Sequence, residues 1–438
     1  MAIATRHSSA ARTRRATVLA IAMLVASTSA ALSQTIAITG GKVFPVSGSP
    51  IDNGTVLIRD GKIAAVGRDI AIPSGAQRVD ATGKWVTPGL INSAVQLGLV
   101  EIGFSAGPRD ASAKGHDEIS ASFTSWDGFN PRSPMLAETR EGGITTILAF
   151  PQGGLIAGQA AAVDLIEGTT PQMLIKAPAA MIGQVGESEQ AGVGARGELI
   201  GKLRELLEDT RDYQKHRAEF ERAQRRRYVA TRADLEAMIP VVEGRVPFVV
   251  GADRASDIRE AIQLAKQYGL RMIIAGGAEA WMLADDLAKA KIPVMTGAMN
   301  NIPSSFAALG SRQENAAILR KAGVDVIIIG NAGGGDEETL NARNVKYEAG
   351  NAVAYGMAWD DALRAITLAP AQALGVADRV GALRPGLEAN VVVWSGDPFE
   401  FFTKVEHVYV RGREYTAPSR QDLLTARYKK LPPNYDQP

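Results

Sequence analysis

The sequence predicts an α/β fold: a (β/α)8 TIM-like barrel with a small β-sandwich domain built from both chain ends. Three observations predict it. After Pro88 the chain alternates short apolar runs, among them ITTILAF, MLIKAPAAM, VPFVVGAD, LRMIIAGG, IPVMTGA and VDVIIIG, with helical stretches. Repeated strand and helix in that order make a parallel sheet with helices outside it, and the number of units over about 280 residues favours a closed barrel over an open sheet. On either side of this region the texture changes to β-branched runs cut by turn signals, and two such segments flanking a barrel fold most simply as one discontinuous domain.

Taken in order, residues 1–33 read as a signal peptide. Arg6, Arg12, Arg14 and Arg15 precede an apolar run from Ala16 to Ala26 with no acidic residue among them, and the small residues Ser27 to Ala31 follow. The run is shorter than the roughly twenty residues that span a bilayer. The expectation is therefore export, to the periplasm or beyond, with no membrane attachment after cleavage; Arg14-Arg15 raises the twin-arginine route, but the ordinary secretory route fits better. Residues 34–86 form the first part of the β-sandwich, from IAITGGKVFPV through GTVLIRDGKIAAVG, where Asp60-Gly61 makes a hairpin turn, to AQRVDATGKWV. The barrel occupies residues 87–376. Residues 377–415, with VVVWSGD and VEHVYVRG, complete the β-sandwich, and residues 416–438 are a polar tail, a strap or disordered. Within the barrel, Arg196 to Ala237 is a long charged helical stretch. It reads as a solvated surface pair of helices, or as a docking element in which Arg225, Arg226, Arg227 and Tyr228 meet an acidic partner.

Composition narrows the chemistry. Lys plus Arg (48) nearly cancels Asp plus Glu (47) among 438 residues, so no net field draws the chain to nucleic acid or an anionic membrane. The absence of cysteine excludes disulfides, thiolate metal sites and a cysteine nucleophile. There are four histidines, and one of them, His7, lies in the signal peptide. Chemistries that need a histidine cluster are thereby starved. No G-x-S-x-G elbow offers a serine nucleophile instead.

Several stretches resemble the amidohydrolase superfamily, in particular its secreted imidazolonepropionase-like branch. They are Gly40-Gly41-Lys42-Val43, Asp60-Gly61-Lys62-Ile63 with Val66-Gly67, VTPGLINSAVQLG (86–98), EGGITTILAF (141–150), AITLAPAQALGV (365–376) and GALRPGLEANVVVWSGDP (381–398). The resemblance implies the same barrel with a β-sandwich made from the chain ends. It also implies one or two divalent metals, usually zinc, at the C-terminal ends of barrel strands, held by a His-x-His pair, further histidines, often a carboxylated lysine, and an aspartate. Such a metal lowers the pKa of its bound water toward about 7 and the hydroxide attacks a polarised carbonyl. Aligned on Pro88-Gly89-Leu90-Ile91-Asn92, the family's first two histidines fall at Ala94 and Gln96; the next fall at Gly251 and at Gly276 or Gly277, and the aspartate at Asn331 or Ala332. The ligand set is missing, so no metal cofactor is expected. His116, His216 and His407 lie away from strand ends, and Lys176 is the one lysine placed to imitate the carboxylated bridge, with nothing to join.

Glu101, Asp253, Glu279 and Asp336 are the carboxylates from which an all-oxygen site for Mg²⁺, Mn²⁺ or Ca²⁺ would be built. Asp253 with Arg254 is equally a local ion pair, and Glu279 opens a helix, where an acid is favourable anyway. Gly142-Gly143, Gly153-Gly154, Gly276-Gly277 and Gly333-Gly334-Gly335 serve turns or expose backbone donors in a retained cavity. Gln96, Arg254, Trp281 and Asn331 are the side chains expected to line it. The functional expectation is an exported, metal-free pseudoenzyme, in hetero-oligomeric assembly with a histidine-complete relative or as a homo-oligomer. The alternatives are a divergent hydrolase of carbon–nitrogen bonds with a rebuilt carboxylate site, and a periplasmic ligand-binding protein.

Overall fold

The computed structural model describes residues 35–101, 109–113, 118–186, 194–299, 303, 305–330, 341–415, 418 and 420–429. The expected signal peptide, His7, His116, Asn331, Asp336 and Gly333-Gly334-Gly335 lie outside the described residues. The first five strands are β1 (Thr35–Val43), β2 (Ile51–Arg59), β3 (Lys62–Gly67), β4 (Gln77–Asp80) and β5 (Trp85–Pro88). The last three, β14 (Val391–Trp394), β15 (Val405–Val410) and β16 (Arg413–Glu414), join them in one sheet of order β16-β15-β14-β5-β1-β2-β3, with β4 paired to β1. The seam between the two chain ends is the antiparallel pair β5/β14, in which Val86 opposes Val393.

The barrel sheet runs β13-β12-β11-β10-β9-β8-β7-β6. Its strands are β6 (Leu90–Val95), β7 (Ile144–Ala149), β8 (Ile156–Asp164), β9 (Leu174–Gln184), β10 (Phe248–Ala252), β11 (Met272–Gly276), β12 (Val294–Thr296) and β13 (Val326–Ile328). Ile91, Leu148, Val249, Ile273, Met295 and Ile327, one from each of six strands, fill the lumen. The helix Leu368–Leu374 packs across the two end strands, β6 and β13, and plugs the lumen from the side of the strand N-termini.

The barrel departs from the expected all-parallel sheet at one strand. β8 runs antiparallel to both β7 and β9. The cause is the connection: β7 ends at Ala149 and β8 begins at Ile156, too few residues for a parallel crossover, which needs a dozen or more. Gly153 (φ +92°) and Gly154 (φ +72°) reverse the chain there, in a left-handed conformation that side chains disfavour. The tail also differs from expectation, since Arg420–Tyr428 is a helix.

The charged stretch is an antiparallel pair of helices, Arg196–Glu221 and Arg232–Val242. Several of its arginines pair with acids of the same hairpin. Arg226 pairs with the fully buried Asp209, Arg225 with Asp212, and the Tyr228 hydroxyl donates to Asp212 Oδ2 at 2.6 Å. Those bonds from Arg225 and Tyr228 hold the Asp212 carboxyl down to about 2. Arg225, Arg226 and Tyr228 thus tie the chain end of the first helix back onto it, while Arg226 and Arg227 remain exposed.

Candidate functional site

The C-terminal ends of the barrel strands form the mouth, where this architecture places its chemistry. On β6, Ala94 is half-buried and its methyl packs on the lumen cluster. Gln96 follows the strand, is 5% exposed, and its carbonyl accepts the Leu99 and Val100 N–H groups at 2.8 and 2.9 Å. Its backbone thus turns the chain away from the barrel.

Across the mouth two glycines are each covered by a polar side chain of the preceding strand segment. Gly251 on β10 pairs with Gln184 at the end of β9. A β-carbon on Gly251 would fall 2.1 Å from Gln184 Oε1, so that amide occupies the room an imidazole would need. Gly276, the last residue of β11, has φ +88°, and a β-carbon there would fall 2.5 Å from Asp253 Oδ1. Backbone and space both reject a branched side chain at 276.

The carboxylates near the mouth are already engaged. Asp253 Oδ1 accepts the Ala278 N–H at 3.0 Å. Glu279 accepts from Ala255 N–H at 2.8 Å and from Gly310 N–H at 3.0 Å, one bond per oxygen. It thereby satisfies the N-terminus of Ala255–Tyr268, a different helix from the short 3-10 turn that it precedes. Glu101 accepts from Asn130 at 2.6 Å and from Ser133 at 2.8 Å. Among the described residues no group of three or more His, Cys, Asp or Glu is placed to hold a metal ion. Among the described residues, the strand-end positions at which the resemblance implies zinc ligands carry a methyl, an amide and two covered glycines, which do not fit that metal.

The remaining expected residues fall as follows. Arg254 is exposed and precedes the helix Ala255–Tyr268. Trp281 is a brace rather than an open wall: its Nε1–H donates to Gly310 O at 2.9 Å, its backbone N–H to Asn315 Oδ1, and Arg312 stacks on its ring at 4.8 Å. Lys176 lies near the start of β9, at the opposite end of the barrel, where Nζ donates to Leu374 O at 2.9 Å. His216 sits on the long helix beside Asp212, and His407 on β15 bonds Glu414 at 2.6 Å. Gly142-Gly143 precede β7 and so belong to the far end, where Gly143 packs beneath Trp394.

Two mouth residues escaped the sequence reading. Gln184 shows no local motif, and only the β9/β10 register reveals it. Glu348, on the helix Val345–Ala354, is buried and its Oε2 accepts the Ala298 and Met299 N–H groups just past β12, at 2.8 and 3.1 Å. Burial raises its pKa, and the two backbone bonds offset part of that rise. A lone acid in a helix of small residues was the available signal. The loops after β11 and β12 also expose apolar side chains: Phe306 and Leu309 are 91% and 63% exposed, and Met282 and Met299 are exposed as well.

Comparisons with known proteins agree with the fold. The model of the Amidohydrolase family matches residues 272–415. The amidohydrolase tasK of Hapsidospora irregularis is 23% identical over 393 residues, which cover 82% of this chain and 39% of that protein. A dihydroorotase of Anaeromyxobacter dehalogenans (strain 2CP-C) is 39% identical over 66 residues, 15% of each chain. This chain thus spans about two fifths or less of these curated relatives. Among solved structures, an amidohydrolase from Thermotoga maritima MSB8 superposes with TM-score 0.78 at 29% identity, covering 87% of this chain and all of that one. The ochratoxinase of A. niger, at 18% identity and TM-score 0.51, shares the fold alone. The chain is an amidohydrolase-fold protein related to hydrolases.

Proposed function

We propose that this is an exported member of the amidohydrolase superfamily, of the imidazolonepropionase-like branch, that has given up metal-dependent hydrolysis and serves as a binding or assembly partner of a histidine-complete relative. The observation that carries the reading is the pair of covered glycines, Gly251 under Gln184 and Gly276 under Asp253. The mouth has been refilled around its missing ligands. The exposed side chains of Phe306, Leu309, Met282 and Met299 support a surface for association. The arginine-rich start and short apolar run of residues 1–33 support export.

The second reading is a carbon–nitrogen hydrolase with a rebuilt carboxylate site. It is favoured by the adjacency of Asp253 and Glu279, whose backbones are joined by a 2.9 Å hydrogen bond, and by the hydrolase relatives. Two experiments separate them. Installing Ala94→His together with Gln96→His should give no zinc-dependent turnover of amide or cyclic amide substrates, because the strands at 251 and 276 still offer no ligand. Recovered turnover would sink the first reading. Co-expression with a histidine-complete relative from the same source should yield a mixed oligomer on size-exclusion chromatography, and two separate peaks would remove the assembly role.

A further inference from the structure

We propose that the cleft at the end of the barrel opposite the mouth is a binding site for a small organic anion with an apolar body. The cleft measures about 890 Å³, within the range of roughly 300–1,000 Å³ that small-molecule sites occupy. It lies between the helices Ala255–Tyr268 and Ala284–Ala290 and reaches inward, past the residues that begin β11 and β12, to the plug helix Leu368–Leu374.

Its charge is one-sided. Arg259 and Lys266 project from one helix, Lys289 and Lys291 from the end of the other, and Arg271 stands before β11. Among the described residues none of these five forms an ion pair with a carboxylate. Two acids share the lining, Asp286 and Asp325, and Asp325 stands 3.6 Å from Arg364. The Arg271 guanidinium reaches only two backbone carbonyls, those of Arg245 and Ala373, each at 3.4 Å. That leaves donors of its fork for a carboxylate, sulfonate or phosphate. Just beyond stands Lys176, whose pKa is lowered first by burial and next by Arg271, with Asp378 opposing.

The floor has a different character. Ile262, Met272, Ile273 and Ile292 line it between the cations. An anionic head at the rim with an apolar body on these side chains satisfies both halves of the cleft. An apolar cation would meet five like charges, and a purely polar anion would leave the floor wet. The inference concerns the far end of the barrel and stands apart from the reading of the mouth.

The test uses the full mature chain and the fluorescent probe 8-anilinonaphthalene-1-sulfonate, an anion with an apolar body. Titration should show saturable binding at one site per chain, displaced by dodecanoate and not by dodecyltrimethylammonium. Binding should weaken in concentrated salt, where screening shortens to a few ångströms. Lys266→Glu with Lys289→Glu should weaken it about tenfold or more, and the milder Lys266→Gln with Lys289→Gln should weaken it less, with both proteins melting as the parent does. Phe402→Ser, in the exposed connection between β14 and β15 and away from the cleft, should leave it unchanged. Absence of saturable binding, equal affinity in the charge-reversed protein, or loss of binding in Phe402→Ser would each overturn the proposal.

Discussion

The two ends of the barrel are built from opposite materials. At the far end, polar groups are buried in pairs that lock the barrel to the second sheet. Asp164, the last residue of β8, is fully buried, bonds Arg411 at 2.7 Å, and accepts from Thr146 and Asn390 at 2.8 and 2.9 Å. Trp394 sits over Gly143 and donates to Thr87 Oγ1 at 2.8 Å. Lys346 lies beside Trp394, with its pKa brought to about 8 by burial and by Arg343. At the mouth, by contrast, the polar side chains serve nearby backbone: Glu279 holds Ala255 and Gly310, Glu348 holds Ala298 and Met299, and Asp253 holds Ala278. The far end keeps the fold's architecture. The mouth keeps its shape through loop contacts and shows no cluster free to bind a metal among the described residues.

The contrast can be broken at either end, and the largest effects belong to the far one. Asp164→Ala strands the Arg411 charge and removes acceptors for Asn390 and Thr146, so chemical denaturation should show a loss of about 3–5 kcal/mol. A loss under about 1 kcal/mol would mean that the junction behaves like a surface ion pair. Gly143→Ala places a β-carbon 2.2 Å from the Trp394 ring at φ +90°, and should cost about 2–3 kcal/mol through overpacking and backbone strain.

Mouth substitutions should act more weakly and through named neighbours. Gly251→Ala should cost about 1–2 kcal/mol, and Gln184→Ala in the same chain should restore much of it, since the clash is with that amide. Equal costs with and without Gln184 would show that the glycine answers to something else. Glu348 gives the smallest effect and a sign to check. Its pKa is raised in the folded chain, so folding favours the protonated form, and stability falls as pH rises from below the unfolded pKa through the folded one. Glu348→Gln mimics the protonated acid. Its melting temperature should therefore gain on the parent as pH rises from 4 to 7, by about 1–3 °C. A gain that shrinks with pH would reverse the assignment.

The sequence made the alternation of strands and helices readable, because buried parallel strands appear as continuous apolar runs such as FVVGA and MIIAG. It also led to both chain ends sharing one sheet, and the structure joins them there at β5 and β14. It hid β8, whose sequence IAGQAAAVD has no β-branched residue between Ile156 and Val163. The hydrogen bonds of two flanking strands hold that segment extended. Gly142-Gly143 were legible as special and misplaced by one end of the barrel, since a glycine pair before a strand looks like one after it. Gln184 was illegible, and Glu348 showed only as a lone acid, because each acts across a register or a helix–strand contact fixed only by folding. Conversely, Trp281 was expected to line a cavity and Glu279 to offer a carboxylate because each follows a strand, and their partners Gly310, Asn315 and Ala255 come from other segments.

The most direct measurement is elemental analysis of the protein purified without chelator and without added metal, followed by calorimetric titration with zinc. With glycines covered at 251 and 276 and Ala94 in place of a ligand, the account predicts less than about a tenth of an equivalent of divalent metal and no tight zinc site. A stoichiometric ion, retained through dialysis and lost when Asp253 or Glu279 is replaced, would contradict it and return the mouth to metal chemistry.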